Sequence, residues 1–112
     1  MERLTHYNYA LEKFTKAVYS LATGPGDVRS RLWDAYMDFH AVREKNIPEQ
    51  LRKDFDWIMK MLTKRESLYD EGRAKATLRR MRNQTGVKIA EKIYDFKYKL
   101  ERFIGEAEKR RK

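Results

Sequence analysis

The residues best suited to do chemistry in this chain are positive side chains interleaved with amide and hydroxyl side chains. Arginine and lysine neutralise phosphate groups, while Asn, Gln and Thr make hydrogen bonds to a nucleic-acid backbone or to base edges. The candidate nucleic-acid-binding residues are Arg73, Lys75, Arg79, Arg80, Arg82, Asn83, Gln84, Thr85 and Lys88. Their types and spacing predict a surface that binds phosphate groups without a catalytic step.

The net charge of +9 is confined to the same part of the chain. Residues 1–72 hold twelve basic and twelve acidic side chains, whereas residues 73–112 hold fourteen and five. Such an asymmetry indicates a surface that meets nucleic acid or an acidic protein partner. The alternative is a solvated face whose charges pair with acids of the preceding helices. The acids considered for that pairing are Asp34, Asp38, Asp54 and Asp56.

Signs of catalysis, metal binding and cofactor binding are missing from the sequence. There is no cysteine, which excludes disulfides, thiolate catalysis and cysteine-based zinc sites. His6 and His40 fall in different predicted helices and have no partner at a metal-ligand spacing. No serine lies in a nucleophile turn or beside a histidine. We therefore expect a protein that is not an enzyme and that holds no metal ion or cofactor.

The elements that position the basic residues are predicted to be helices. Apolar residues recur three and four positions apart, and the chain is 41% apolar and 38% charged, which is typical of long amphipathic helices. In the first helix this series is Leu4, Tyr7, Leu11, Phe14, Val18 and Leu21. The expected fold is all-α, an antiparallel up-down four-helix bundle forming one domain of residues 1–112. An extra short basic helix or a kinked long last helix completes it.

Caps and breakers predict where the helices begin and end. The long helices are expected at residues 3–22, 27–45, 48–65 and 87–109, and the short basic helix at 73–85. Glycine and proline at 24–26 should end the first helix, Asp27 should cap the second, and Asn46 should cap the third. Residues 66–72 should form the main connection.

A polar segment at residues 83–86 interrupts the basic stretch. Asn83, Thr85 and Gly86 are poor helix formers, and glycine inside a helix costs about 1 kcal/mol relative to alanine. The segment therefore predicts a break or sharp kink. The unbroken apolar spacing favours the alternative, a single very long helix.

Aromatic residues beside the apolar stripes predict contacts between subunits. The candidate interface residues are Trp33, Tyr36, Met37, Tyr94 and Tyr98. Aromatic side chains are enriched at protein interfaces, so we expect a homo-oligomer. Base stacking is the second interpretation of Tyr94 and Tyr98, because basic residues alternate with them.

The sequence does not determine the function, but it orders the hypotheses. The leading one is a non-catalytic nucleic-acid-binding or nucleic-acid-associated accessory protein, and the alternative is a helical module for protein–protein interaction or self-assembly. The N-terminal residues do not resemble a signal peptide, and no apolar run approaches the ~20 residues of a membrane span. We expect a cytoplasmic protein with no membrane contact.

Overall fold

The computed structural model describes residues 2–65 and 72–110, and all regular elements in this part of the chain are helical. Five α-helices pack together. They are α1 (Glu2–Thr23), α2 (Val28–Phe39), α3 (Arg52–Thr63), α4 (Arg73–Arg79) and α5 (Asn83–Arg110). The prediction of an all-α fold is confirmed, and a short basic helix does precede the last one.

The core is centred on the Phe14 side chain of α1. Its ring stacks on Phe39 of α2 with 4.5 Å between ring centroids, and it meets Phe96 of α5 edge-on at 4.8 Å. Phe55 of α3 lies edge-on at 6.2 Å. Such aromatic pairs add about 0.5–1.5 kcal/mol beyond their area burial. One buried ring in each of four helices therefore holds α1, α2, α3 and α5 together.

The connection between α1 and α2 follows the sequence prediction. α1 ends at Thr23, and the Asp27 carboxylate accepts hydrogen bonds from the backbone N–H groups of Arg29 and Ser30 at 3.0 and 3.1 Å. Gly26 has a φ of +83°, a left-handed conformation that favours glycine. This connection lies beside α4 and forms one wall of a groove described below.

The second helix is shorter than predicted, ending at Phe39 rather than at residue 45. After Phe39 the backbone leaves the helix and enters a 3₁₀ turn, which is held by the burial of one polar and two apolar side chains. The buried Asn46 side chain accepts a hydrogen bond from the backbone N–H of Arg43 at 2.8 Å, which closes a 3₁₀ turn. Val42 and Ile47 on either side are buried in the core.

The prediction that Asn46 caps the third helix is wrong, because its side chain closes the preceding turn. The expected start at residue 48 is replaced by a 3₁₀ turn, Glu49–Leu51, in which Leu51 N–H bonds to the Pro48 carbonyl at 2.9 Å. α3 begins at Arg52 and ends at Thr63, two residues before its expected end.

The break in the basic stretch lies at residues 80–82, before the predicted position at 83–86. The N–H groups of Arg80 and Met81 bond to carbonyls three residues back, at 3.2 Å each, and these tighter turns end α4. The basic helix therefore ends at Arg79 rather than at residue 85. Asn83 begins α5, whose first turn is closed by the Gly86 N–H bonding to the Arg82 carbonyl at 3.0 Å.

The predicted connection at residues 66–72 lies outside the described residues except for Gly72. Over the described ranges, no helix is long and apolar enough to cross a membrane.

Candidate nucleic-acid interface

The predicted nucleic-acid-binding residues lie on α4, on the turn after it and on the first turns of α5. All of them are exposed except Thr85, which is half-buried. α4 separates two cavities, and these residues divide between its sides. Lys75 and Arg79 line one cavity, and Arg80, Arg82 and Thr85 line the other. Four more, Arg73, Asn83, Gln84 and Lys88, line neither of these two cavities.

The smaller cavity, called here the basic notch, has a volume of about 160 Å³. It lies where the end of α3, α4 and the start of α5 meet. Its lining residues are Lys64, Arg65, Thr77, Arg80, Met81, Arg82 and Thr85. Four of these side chains are basic and none is acidic. Two stretches that are distant in the sequence thus bring their positive charges to one place.

Buried Thr77 holds one side of the notch in place. Its hydroxyl accepts a hydrogen bond from the backbone N–H of Arg65 at 3.0 Å and donates one to the Arg73 carbonyl at 2.7 Å. The residues that follow α3 are thereby fastened to α4. The Lys64 and Arg65 side chains remain exposed at the rim.

Close packing between α2 and α5 holds the other side. A Cβ atom on Gly86 would lie 2.8 Å from Val28 Cγ1 and 3.4 Å from Leu32 Cδ1, so a larger residue would force the neighbouring side chains or helices to shift. Met81 is only 7% exposed, and its carbonyl accepts a hydrogen bond from Arg29 Nη1 at 3.3 Å. The turn that carries the notch arginines therefore has an anchored backbone.

The notch charges are not neutralised within the described part of the chain. Over residues 2–65 and 72–110, none of its four cations forms a salt bridge with an acidic residue. The cations are Lys64, Arg65, Arg80 and Arg82. Like charges around a small concave surface raise the local potential and attract anions.

The acids proposed as alternative partners are engaged elsewhere or lie away from the notch. Asp54 of α3 pairs with two lysines of α5, Lys92 at 3.0 Å and Lys99 at 3.5 Å, and we call these three residues the Asp54 cluster. Asp38 accepts a hydrogen bond from the Ser20 hydroxyl at 2.7 Å. Neither Asp34 nor Asp56 lines the notch.

The pKa of Asp54 reflects this pairing. Burial raises the pKa of the carboxyl, but the hydrogen bonds and positive charges of Lys92 and Lys99 outweigh burial and hold it below its ordinary value. Asp54 therefore stays ionised at neutral pH and binds the two lysines as a structural contact between α3 and α5.

The larger cavity, called here the Trp33 groove, has a volume of about 710 Å³ and lies between the α1–α2 connection, α2 and α4. Trp33, half-buried, and Leu78 supply apolar surface, and Asp27 and Asp34 supply carboxylates. The Lys75 ammonium lies 5.5 Å from the centroid of the Trp33 ring.

The predicted interface residues lie on α2 and α5 and differ in exposure. Trp33 and Tyr36 are half-buried, and the Tyr36 ring meets Phe39 edge-on at 5.9 Å. Met37, Tyr94 and Tyr98 are 46%, 58% and 52% exposed. The two tyrosines lie one helical turn apart on α5.

The sequence prediction missed Lys64 and Arg65 as members of the site. Basic residues at the end of a helix are expected to stabilise its dipole, so nothing in their position points to residues 80–82. The signal that could have found them is Thr77, a polar residue of α4 that is buried and therefore needs a hydrogen-bond partner, which the backbone N–H of Arg65 provides.

Comparison of the chain with models of protein families, with curated protein sequences and with solved structures gave no match. Among the described residues, no group of three or more His, Asp or Glu side chains is placed to hold a metal ion.

Proposed function

We propose that this protein is a non-catalytic nucleic-acid-binding accessory protein that holds backbone phosphates at the basic notch. One observation carries the proposal: four basic side chains from two separate stretches line one cavity, and none of its described lining residues is acidic. Contacts of this kind supply most of the sequence-independent affinity for nucleic acid, because each neutralised phosphate releases bound counterions.

The chemistry of the notch suits a phosphate diester. Arg80, Arg82 and Arg65 present forked guanidinium groups, which bind phosphate oxygens with two parallel hydrogen bonds. Lys64 adds a point charge, and the Thr85 hydroxyl at the cavity wall is a further donor. Because the backbone of the turn is anchored, binding requires ordering of the basic side chains but little ordering of the backbone.

The test is binding of a labelled oligonucleotide, measured by fluorescence anisotropy over about 50–200 mM salt. The wild-type protein should bind with an affinity that falls steeply as salt rises. The double variant Arg80→Gln/Arg82→Gln should bind about tenfold more weakly, and its salt slope should be shallower by about 1 for each phosphate group that the variant no longer neutralises.

A charge-matched control separates the notch from general attraction. Lys109→Gln/Arg110→Gln removes the same charge about 40 Å further along α5, at about 1.5 Å per residue. This control should keep nearly all of the affinity. Absence of binding, binding insensitive to salt, or equal losses of affinity in both variants would refute the proposal.

Self-association through α5 is a second candidate function, and it rests on the exposure of Tyr94, Tyr98 and Val87. These side chains are 58%, 52% and 47% exposed, and they recur at spacings of seven and four residues along one helix. A second copy would cover this apolar stripe. Light scattering after size exclusion should show a dimer that Tyr94→Glu/Tyr98→Glu converts to monomer, and a wild-type monomer at high concentration would remove this candidate.

A further inference from the structure

The Trp33 groove and the basic notch lie on opposite sides of α4. Lys75 and Leu78 line the groove, whereas Thr77 and Arg80 line the notch. A helix with its side chains is only about 10–12 Å across. A strand held by its phosphates at the notch therefore reaches the groove after crossing one short helix.

The two cavities differ in the ligand group that they favour. The groove is lined by the carboxylates of Asp27 and Asp34, by three basic side chains and by the apolar surface of Trp33 and Leu78, so its charge is mixed, whereas the charged residues that line the notch are all basic. Such a surface suits a flat, neutral group that carries N–H donors. Its volume of about 710 Å³ lies within the range of about 300–1,000 Å³ common for small-ligand sites.

One of the two carboxylates is available to a ligand. Asp27 is already engaged, because it caps α2 and pairs with Arg29 at 2.9 Å. The Asp34 carboxylate makes no hydrogen bond or salt bridge with any residue in the described ranges. An ionised carboxylate only accepts hydrogen bonds, so it selects a ligand that presents amino or imino groups.

Trp33 supplies the stacking surface. Aromatic side chains that stack on nucleobases contribute through the ring face, which every base possesses. The Lys75 ammonium lies over the Trp33 ring, 5.5 Å from its centroid, so a base that stacks on this face displaces the ammonium and leaves Lys75 to bind the adjoining phosphate.

We propose that the Trp33 groove takes one unpaired nucleobase of the strand whose phosphates lie at the notch. The base stacks on Trp33 and donates an N–H to Asp34, and Lys75 contacts the adjoining phosphate. This inference rests on the proposed function and adds a preference for single strands, because in a duplex the ring faces are covered by neighbouring bases and the Watson–Crick N–H groups are engaged by the partner base.

The experiment uses tryptophan fluorescence in the variant Trp57→Phe. The chain has two tryptophans, so Trp33 becomes the sole fluorescent tryptophan in this variant. Trp57 does not line the groove: its side chain is 38% exposed, and its ring centroid lies 5.7 Å from the Lys92 ammonium. Titration with a single-stranded oligonucleotide should quench Trp33. Titration with the blunt duplex of the same sequence should leave it nearly unchanged.

Substitutions then assign the contacts. Trp33→Ala should weaken single-strand binding by about 5- to 150-fold, the equivalent of one stacked base, and leave duplex binding as it was. Trp33→Phe should recover part of that affinity, because a smaller ring still stacks. Asp34→Asn should lower single-strand affinity several-fold for bases with an exocyclic amino group, and it tests the groove without altering the indole.

The outcomes separate this inference from the function on which it rests. Single-strand binding that depends on Arg80 and Arg82, with no quenching of Trp33 and no effect of Trp33→Ala, overturns the base site and leaves the phosphate site standing. Equal quenching by duplex overturns the single-strand preference. Failure of every oligonucleotide to bind removes the phosphate site and the base site together.

Discussion

The basic notch and the Asp54 cluster both carry positive side chains at α5, but among the described residues only the cluster pairs its positive charges with an acid. In the cluster, Lys92 and Lys99 share the carboxylate of Asp54 across the contact of α3 with α5. In the notch, four cations line a cavity, and no acid is found among its described lining residues. The fold uses the cluster charges as a contact between α3 and α5, whereas the notch charges form no salt bridge with a described acid.

This difference shows why a net charge of +9 is a poor guide to a site until each cation is placed beside its neighbours. Lys92 belongs to the basic stretch by sequence, yet it is occupied by Asp54 and by the ring of Trp57 at 5.7 Å. Lys64 and Arg65 precede the stretch, yet they line its cavity. The position of the acids therefore decides where an anion binds.

The largest predicted effect concerns the packing that holds the notch turn in place. Gly86→Ala places a methyl group 2.8 Å from Val28 Cγ1, whereas Gly105→Ala in the same helix meets no atom within 4 Å. Both variants replace a glycine of the same helix by alanine, so the difference in their free energies of unfolding reports mainly on the clash. We expect Gly86→Ala to be less stable than Gly105→Ala by about 1–3 kcal/mol, measured by urea unfolding.

Gly105→Ala serves as the internal control, and its free energy of unfolding should exceed that of the wild type by about 0.5–1 kcal/mol. Equal midpoints for the two alanine variants would show that α2 and α5 are not in the close contact described above. In that case the notch turn would owe its position to the burial of Met81 and to the hydrogen bond that its carbonyl accepts from Arg29.

A smaller effect is predicted at the Asp54 cluster, where Asp54→Asn removes the shared carboxylate. At neutral pH the variant should be less stable by up to about 1 kcal/mol, since the lysine partners are partly exposed and solvent screens them. The pKa of Asp54 is lowered in the folded protein, so its contribution is present above the unfolded value near 3.9 and is lost as pH falls through the folded value.

The stability difference between wild type and Asp54→Asn should therefore vanish in acid. Thermal unfolding followed by circular dichroism at pH 7 and at pH 3 and below measures it. A difference that persists at the lowest pH would mean that Asp54 stabilises the protein by packing rather than by its charge.

The smallest effect is predicted at the notch, where like charges oppose one another. Arg80→Gln/Arg82→Gln should raise stability by a few tenths of a kcal/mol at low salt, because like-charge neighbours destabilise by about that much. Added salt should stabilise the wild type by a similar amount and the variant less. A variant that is less stable than the wild type at low salt would indicate that the fold does use these charges.

Much of the helical architecture could be predicted from apolar spacing and capping residues, as Asp27 and the end of α1 illustrate. The up-down order of the bundle and the single domain stay predictions. The end of α2 could not be read from the sequence, because the apolar series continues through Val42 while buried Asn46 redirects the backbone. Burial of a polar group is a tertiary property that local spacing does not contain.

Only part of the candidate site could be predicted from the sequence. Exposed arginines at 80 and 82 followed from charge and spacing, but the notch exists because Thr77 brings Arg65 to them. Gly86 was misinterpreted as a helix breaker because its role, like that of Thr77, depends on a tertiary contact. Its missing side chain accommodates Val28, a neighbour 58 positions earlier in the chain that no local pattern identifies.

The short length of α4 couples the opening of the two cavities. Seven residues are too few for a helix that persists by itself, so α4 depends on its contacts with α2 and α3. Because this one helix is a wall of both cavities, a single local opening of α4 disassembles the notch and the groove together. A bound strand would be released in one cooperative event, and amide exchange in α4 would slow when the strand is present.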